Sequence, residues 1–505
     1  IRETFGHIIS EEDEVRLANL IYYPEKMINQ IKQANEYTED WQKTAVYRLV
    51  QICREVSSKY TRSKVRKKMP KEFSGVIDEL LYVDNTDDNK TEYYSELINT
   101  LIDVRVADSF IVVICSLIRS LTIDNLHILG DIFDRGPRPD IILEELMHFH
   151  DVDIQWGNHD ISWMGAATGN RACICNVLRM ALGYNGFDVL EDGYGINLRP
   201  LSMFAERVYR DDPCTCFLPQ ILDKNIYDAV DPKLAAKMHK AIAVLQYKEE
   251  GQIIKRHPEY GMEERILLSA IRYDRGTVTI DGKEYPMRDM NFPTVDPADP
   301  LRLTDEEEEL LHTLELSFRH NARLHEHVRF LYSNGSMYKC CNSNLLYHGC
   351  IPMTENREFD GLMVGGKMYR GKELMDFIDT QVKNAYFLPE DAPEKEACRD
   401  FMWYLWNGAK SPVFGKDKNR SFEHYFIEDP EVMRETMNPY YQLSEEEETC
   451  DMILKEFGLP TKGSHIINGH MPVKIKSGET PIRAGGKLFI IDGGLSKAYQ
   501  ERTGI

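Results

Sequence analysis

Two short blocks of the chain carry side chains whose types and spacing suit metal-assisted phosphate chemistry. The first holds Gly130, Asp131, Asp134, Arg135 and Gly136; the second holds Gly157, Asn158, His159 and Asp160. A carboxylate whose two oxygens face different ways can bridge two divalent cations, and an amide oxygen with an imidazole completes the coordination without thiolates. Such a set suits hard or borderline ions: manganese, iron, zinc or magnesium.

Each block follows an apolar run that reads as a buried strand, 126–129 and 152–156, and residues 140–147 between them repeat apolar positions at helical spacing. The result is a β-α-β unit. In an open parallel sheet such a unit delivers both strand ends to one edge, where Asp131, Asp134, Arg135, Asn158 and His159 should converge. Two later stretches, 345–349 and 466–470, also run apolar residues into a histidine beside a glycine, His348 and His470. Glycine there frees the backbone to turn an imidazole towards an ion. Either histidine alone reads more readily as a plain hydrogen-bonded one than as a ligand.

The blocks at 130–136 and 157–160 resemble two signature motifs of the calcineurin-like metallophosphoesterases. Together with the stretches 153–160, 194–200, 403–406, 411–416 and 491–499, in that order over nearly the whole chain, they resemble one bacterial branch, the class III (Firmicutes-type) fructose-1,6-bisphosphatases. That resemblance implies an α/β (α+β) fold: a sandwich of two mixed sheets flanked by helices, with large helical insertions. It also implies hydrolysis of fructose 1,6-bisphosphate, a step of gluconeogenesis, by a water activated between two divalent cations, most naturally Mn2+. Asp131 would bridge the metals, and Asn158, His348 and His470 would complete one of them. His159 would give a proton to the departing alkoxide, Asp134 would hold its ring, and Arg135 would grip the phosphoryl group.

One part of the pattern is missing. None of the fifteen histidines has an aspartate two positions before it, so the family's first motif, Asp-x-His, is expected upstream of Ile1. For the second phosphate, the glycine-bounded loop at 407–416 offers Lys410 and Lys416. The neighbouring aromatic run 401–406 reads as core.

Composition narrows the alternatives. With 61 basic and 82 acidic residues the formal net charge is −21, which argues against general nucleic-acid binding, since phosphate backbones are held by basic stripes. The one basic run, 62–68, reads as a solvated helix face. No apolar stretch is long enough to span a bilayer. Eleven cysteines without paired C-x-x-C spacing suggest reduced thiols in a cytoplasmic protein. The expected partner is a small sugar bisphosphate, and the resemblance leaves room for a homo-oligomer.

The chain divides by pattern into a helical region at 1–122, core at 123–200, an accessory insertion at 201–330 and core again at 331–505. Helical spacing runs over 11–33, 38–60, 71–82 and 91–120, broken at Pro24, Pro70 and the polar run 84–90, and a further helix is expected at 171–182. Residues 226–270 read as two helices broken near Pro258, and 277–285 as a hairpin turning at Asp281 and Gly282. Residues 304–307 form a capping box that opens a solvated acidic helix. Within enzymes the rival is a phosphoprotein phosphatase or dinucleotide polyphosphate hydrolase built on the same motifs. Outside enzymes it is a catalytically inactive scaffold.

Overall fold

The computed structural model describes residues 1–6, 8–82, 88–221 and 230–492. The chain separates into two compact units, 1–126 and 127–505.

The first unit is built of helices around one core. Helix Ala107–Thr122 turns Phe110, Ile111, Ile114, Cys115, Ile118 and Leu121 inward, a spacing of three and four that makes one apolar face. It packs against helices Glu39–Ser58, Glu11–Tyr22 and Pro24–Gln33. Side chains of Ser10 and Thr38 cap two of these helices by accepting the Asp13 and Trp41 N–H groups. The expected stretch 91–120 is in fact two helices, Asp88–Asp103 and Ala107–Thr122, parted at Arg105, which takes φ +60°. No proline or glycine marks that break. The basic run is not simply solvated either: Arg62 and Arg66 both bond the largely buried Asp78, and Lys64 and Lys68 both bond Asp124.

Among the described residues the strands are β1 (Leu126–Ile128), β2 (Val152–Gln155), β3 (Ile271–Arg272), β4 (Thr277–Ile280), β5 (Lys283–Pro286), β6 (Gly335–Ser336), β7 (Tyr338–Cys341), β8 (Asn344–Tyr347), β9 (Gly361–Val364), β10 (Lys367–Arg370), β11 (Ile466–Asn468), β12 (Ile482–Arg483) and β13 (Leu488–Ile490). They form four small sheets, ordered β1-β2-β6, β12-β13-β11-β8-β7, β3-β4-β5 and β10-β9. The architecture is a mixed α/β fold with large helical insertions. In the five-stranded sheet β8, β11 and β13 run parallel while the outer strands β7 and β12 are antiparallel to their neighbours. All four residues of β2 are buried, as a strand covered on both faces requires. The crossover helix Pro139–Met147 has proline in its first turn and buries Leu143 and Leu146.

The hairpin β4-β5 turns at Asp281 and Gly282, both at positive φ. Helix Pro232–Arg256 is single and 25 residues long, and the second helix expected after Pro258 is replaced by three short 3-10 turns. The acidic helix Asp305–Arg319 opens with the anticipated capping box, but Glu307 is buried: it bonds Thr304 N–H and the buried Lys248 ammonium. One carboxylate of that acid run is therefore a tie between helices, not a solvated charge. All eleven cysteines are free thiols, and among the described residues no helix is long and apolar enough to cross a membrane. The last part of the 491–499 stretch lies outside the described residues.

Candidate metal centre

Four strands from two sheets end at one crevice. The loop after β1 brings Asp131, the turn after β2 brings Asn158 and His159, and the parallel neighbours β8 and β11 bring His348 and His470. Parallel pairing is the reason the two histidines leave on the same edge.

The approach of the first two loops requires glycine. A Cβ on Gly130, itself at φ +81°, would run into the Gly157 nitrogen and the Gln155 carbonyl, and one on Gly157 would strike the Asp131 carboxylate. Asp131 and His470 sit at φ +55° and +67°, conformations that non-glycine residues hold only when the surroundings enforce them. For Asp131 the enforcement comes from Asp160. Its buried carboxylate accepts the N–H groups of Asp131 at 2.8 Å, Gly157 at 3.0 Å and Phe133 at 3.2 Å, welding the two motif loops together. Burial, then the charge of Asp131, lifts the Asp160 carboxyl to about 6.

Asp160→Ala leaves three backbone N–H groups without an acceptor, each worth about 1–3 kcal/mol when buried. The expected result is a fall of several degrees in the unfolding midpoint by calorimetry, together with weaker divalent-cation binding. An unchanged midpoint would show that Asp160 is not the clamp.

The ring nitrogens at the centre have their roles fixed by their second contacts. His348 Nδ1 faces the Leu129 carbonyl, so in the neutral ring that a cation would require this nitrogen carries the hydrogen and Nε2 keeps its lone pair. His470 Nε2 faces the Phe414 carbonyl at 3.1 Å, so Nδ1 keeps its own. These two nitrogens lie 3.1 Å apart, and His348 Nε2 is 3.3 Å from Asp131 Oδ2. The donor atoms of Asp131, His348 and His470 all fall within 4.8 Å of one another. Three electron-rich atoms converge on one point, and the cluster has the capacity to hold a metal ion. Nearby, the buried Asn158 Oδ1 has no hydrogen-bond partner among the described residues, which suits a further oxygen ligand.

Asp131 and His348 favour each other's charged forms. Burial works against ionisation of Asp131, but the charges of His348 and His159 outweigh it and hold the carboxyl well below the usual range. Burial likewise opposes a charged His348, yet Asp131 lifts that ring to about 9. Burial and the His348 charge push His470 down to about 3.

His159 turns away from the cluster. Its Nε2 lies 3.2 Å from Asp134 Oδ1, and its ring meets Trp406 edge to face with centroids 4.9 Å apart. Only its backbone N–H reaches Asp131, at 3.2 Å. The Arg135 guanidinium lies 4.5 Å over the Tyr184 ring. All of these side chains line one crevice of about 1040 Å³. Lys416 stands in its wall, 2.5 Å from Glu435, whereas Lys410 pairs with Asp360 and is not part of that lining.

Asp160, Trp406 and Tyr184 were not singled out as site residues by sequence. Asp160 had a readable signal: it stands three residues after the turn Gly157, the position from which an acid reaches back to cap a helix. Trp406 was hidden in an aromatic run that is otherwise core, with Phe401 and Trp403 buried beside it.

A cation-binding cluster at strand ends, with a histidine–carboxylate pair and an arginine in the same crevice, is the layout of a metal-assisted phosphoester hydrolase. The chain belongs to the Firmicute fructose-1,6-bisphosphatase family, whose model matches residues 1–505. The class 3 fructose-1,6-bisphosphatase of Clostridium tetani is 51% identical over 503 residues, covering 100% of this chain and 76% of that protein. That of Bacteroides fragilis is 51% identical over 506 residues and that of Alkaliphilus metalliredigens 50% over 507, each with the same two coverages. No solved structure matches the chain.

Proposed function

We propose that the chain hydrolyses fructose 1,6-bisphosphate to fructose 6-phosphate and phosphate in the cytoplasm, with two divalent cations, Mn2+ foremost, as cofactors. The observation that carries the reaction class is the convergence of Asp131 Oδ2, His348 Nε2 and His470 Nδ1 beside Arg135 and His159. The substrate is the one for which the class 3 relatives are named. Support for the cytoplasmic setting is the set of eleven free thiols.

When bound, the cations supply Lewis acidity that polarises a phosphoryl oxygen and makes water a nucleophile near neutral pH. Asp131, Asn158, His348 and His470 are the residues of this chain that would hold a cation. The sheets β1-β2-β6 and β12-β13-β11-β8-β7 are taken as the two layers of the metallophosphatase sandwich, and residues 1–122 as an insertion between its first two motifs.

Arg135, seated over the Tyr184 ring, takes two oxygens of the phosphoryl group through its fork. His159 gives the proton on Nδ1 to the leaving alkoxide. Asp134 on Nε2 favours the imidazolium and fixes the ring. Lys416, in the crevice wall, is assigned to the substrate's second phosphate, whereas Lys410 is held by Asp360 outside that lining.

The test is phosphate release by the full-length protein from fructose 1,6-bisphosphate, fructose 6-phosphate, a phosphopeptide and a dinucleotide polyphosphate, with Mn2+ and with chelator. Release from the bisphosphate alone, abolished by chelator, is expected. Preference for the phosphopeptide or the dinucleotide would replace the substrate assignment, and release from none would favour a scaffold.

A further inference from the structure

One charged side chain in the crevice has no role so far. Arg179, on helix Arg171–Gly183, is only 5% exposed and lines the crevice that holds Asp131, Arg135 and His159. Its Nε donates to Gln246 Oε1 at 2.7 Å, Nη1 to the Tyr425 hydroxyl at 3.1 Å and Nη2 to Asn176 Oδ1 at 2.9 Å. All three acceptors are neutral. Among the described residues no carboxylate comes within ion-pair reach of it, whereas Lys410 and Lys416 each already hold one. A guanidinium has five N–H groups and stays charged in any protein setting. Two of its N–H groups are therefore left over on a buried cation with no direct ion pair, the buried Glu250 acting on it across Gln246.

The three acceptors are themselves held in place. His239 Nδ1 donates to the Phe217 carbonyl at 2.9 Å, so its Nε2 must accept, and the Tyr425 hydroxyl gives its proton there at 2.9 Å. The hydroxyl's lone pairs are then free for Arg179. Gln246 is oriented by donating its NH2 to Glu250 Oε1 at 2.7 Å, and Asn176 by donating to Ser162 Oγ at 2.8 Å. Arg179 is thus aimed by a rigid set of neighbours, the arrangement that reduces the ordering cost of binding a ligand. Tyr184, the ring that carries Arg135, caps the C-terminus of the same helix five residues after Arg179. Two guanidiniums lining one crevice suit a ligand that carries two phosphates.

We propose that Arg179 is an anion receptor that takes the substrate's phosphate remote from the reacting bond, and so separates a sugar bisphosphate from a monophosphate ester. The proposal rests on the bisphosphatase reading above. It adds to Lys416 a cation with no directly paired carboxylate to displace.

The experiment compares kcat/KM for fructose 1,6-bisphosphate and for 4-nitrophenyl phosphate in the full-length Mn2+ enzyme, wild type against Arg179→Gln and Arg179→Lys. Losing a charge-assisted hydrogen-bonded pair predicts that the ratio of the two values falls about 10- to 100-fold in Arg179→Gln. The fall comes mainly through KM for the bisphosphate, and Arg179→Lys recovers part of it. An equal loss on both substrates, or no loss on either, overturns the proposal. Should Arg179→Gln prove insoluble, Tyr425→Phe removes one aiming contact and is expected to lower the same ratio several-fold; an unchanged ratio there overturns it too. Wild-type enzyme that cleaves 4-nitrophenyl phosphate and ignores the bisphosphate removes the underlying reading, and this proposal with it, before any variant is made.

Discussion

His348→Ala is expected to abolish divalent-cation binding and phosphatase activity together, with turnover falling about 10³-fold or more, equivalent to roughly 4 kcal/mol of barrier. The ring is 2% exposed at its side chain and stands at the centre of the cluster, its Nε2 within 3.3 Å of both Asp131 and His470. Its removal leaves Asp131 without the charge that most favours its ionisation and takes one of three donors from a set that spans only 4.8 Å. Isothermal titration with Mn2+, alongside phosphate release, reads both effects. A variant that binds Mn2+ with wild-type affinity would exclude His348 as a ligand. The fold should survive, because the Leu129 carbonyl that loses its partner lies at a crevice open to water.

His159→Ala is the opposite case. The side chain contacts Asp134 and Trp406, and only its backbone N–H touches Asp131, so the alanine variant keeps that N–H and should keep its cation affinity. What it loses is a positioned proton donor, a change that typically costs about 10²–10⁴ in rate. The expected outcome is normal Mn2+ titration, a KM within a few-fold of wild type and kcat reduced by that factor. Loss of cation binding in step with kcat would make His159 a ligand. Full turnover would leave the leaving group without an assigned acid.

How far the site could be read in the sequence follows from the range of the interactions involved. Asp131, Asn158, His348 and His470 each lie at the end of a short apolar run beside a glycine, and local pattern fixes strand ends well. That these ends meet follows from parallel pairing of β8 with β11 and from the crossover between β1 and β2. The roles of the Leu129 and Phe414 carbonyls in setting the imidazole tautomers have no sequence signature, because any residue supplies a carbonyl. Arg179 stayed unread for a related reason. In a helix its spacing is that of an ordinary polar position, and its importance depends on Gln246 and Tyr425, 67 and 246 residues away. Burial of Glu307 within an acidic run was invisible in the same way, since Lys248 reaches it from a different helix. The break at Arg105 went unread because neither glycine nor proline forces it.

The central claim is that Asp131, Asn158, His348 and His470 surround a cation, and anomalous diffraction from crystals of the full-length protein grown with Mn2+ tests it most directly. An anomalous peak within coordination distance of Asp131 Oδ2, His348 Nε2 and His470 Nδ1, with Asn158 Oδ1 turned towards it, is the predicted result. Crystals that bind Mn2+ elsewhere and leave those four side chains without a peak between them would contradict it.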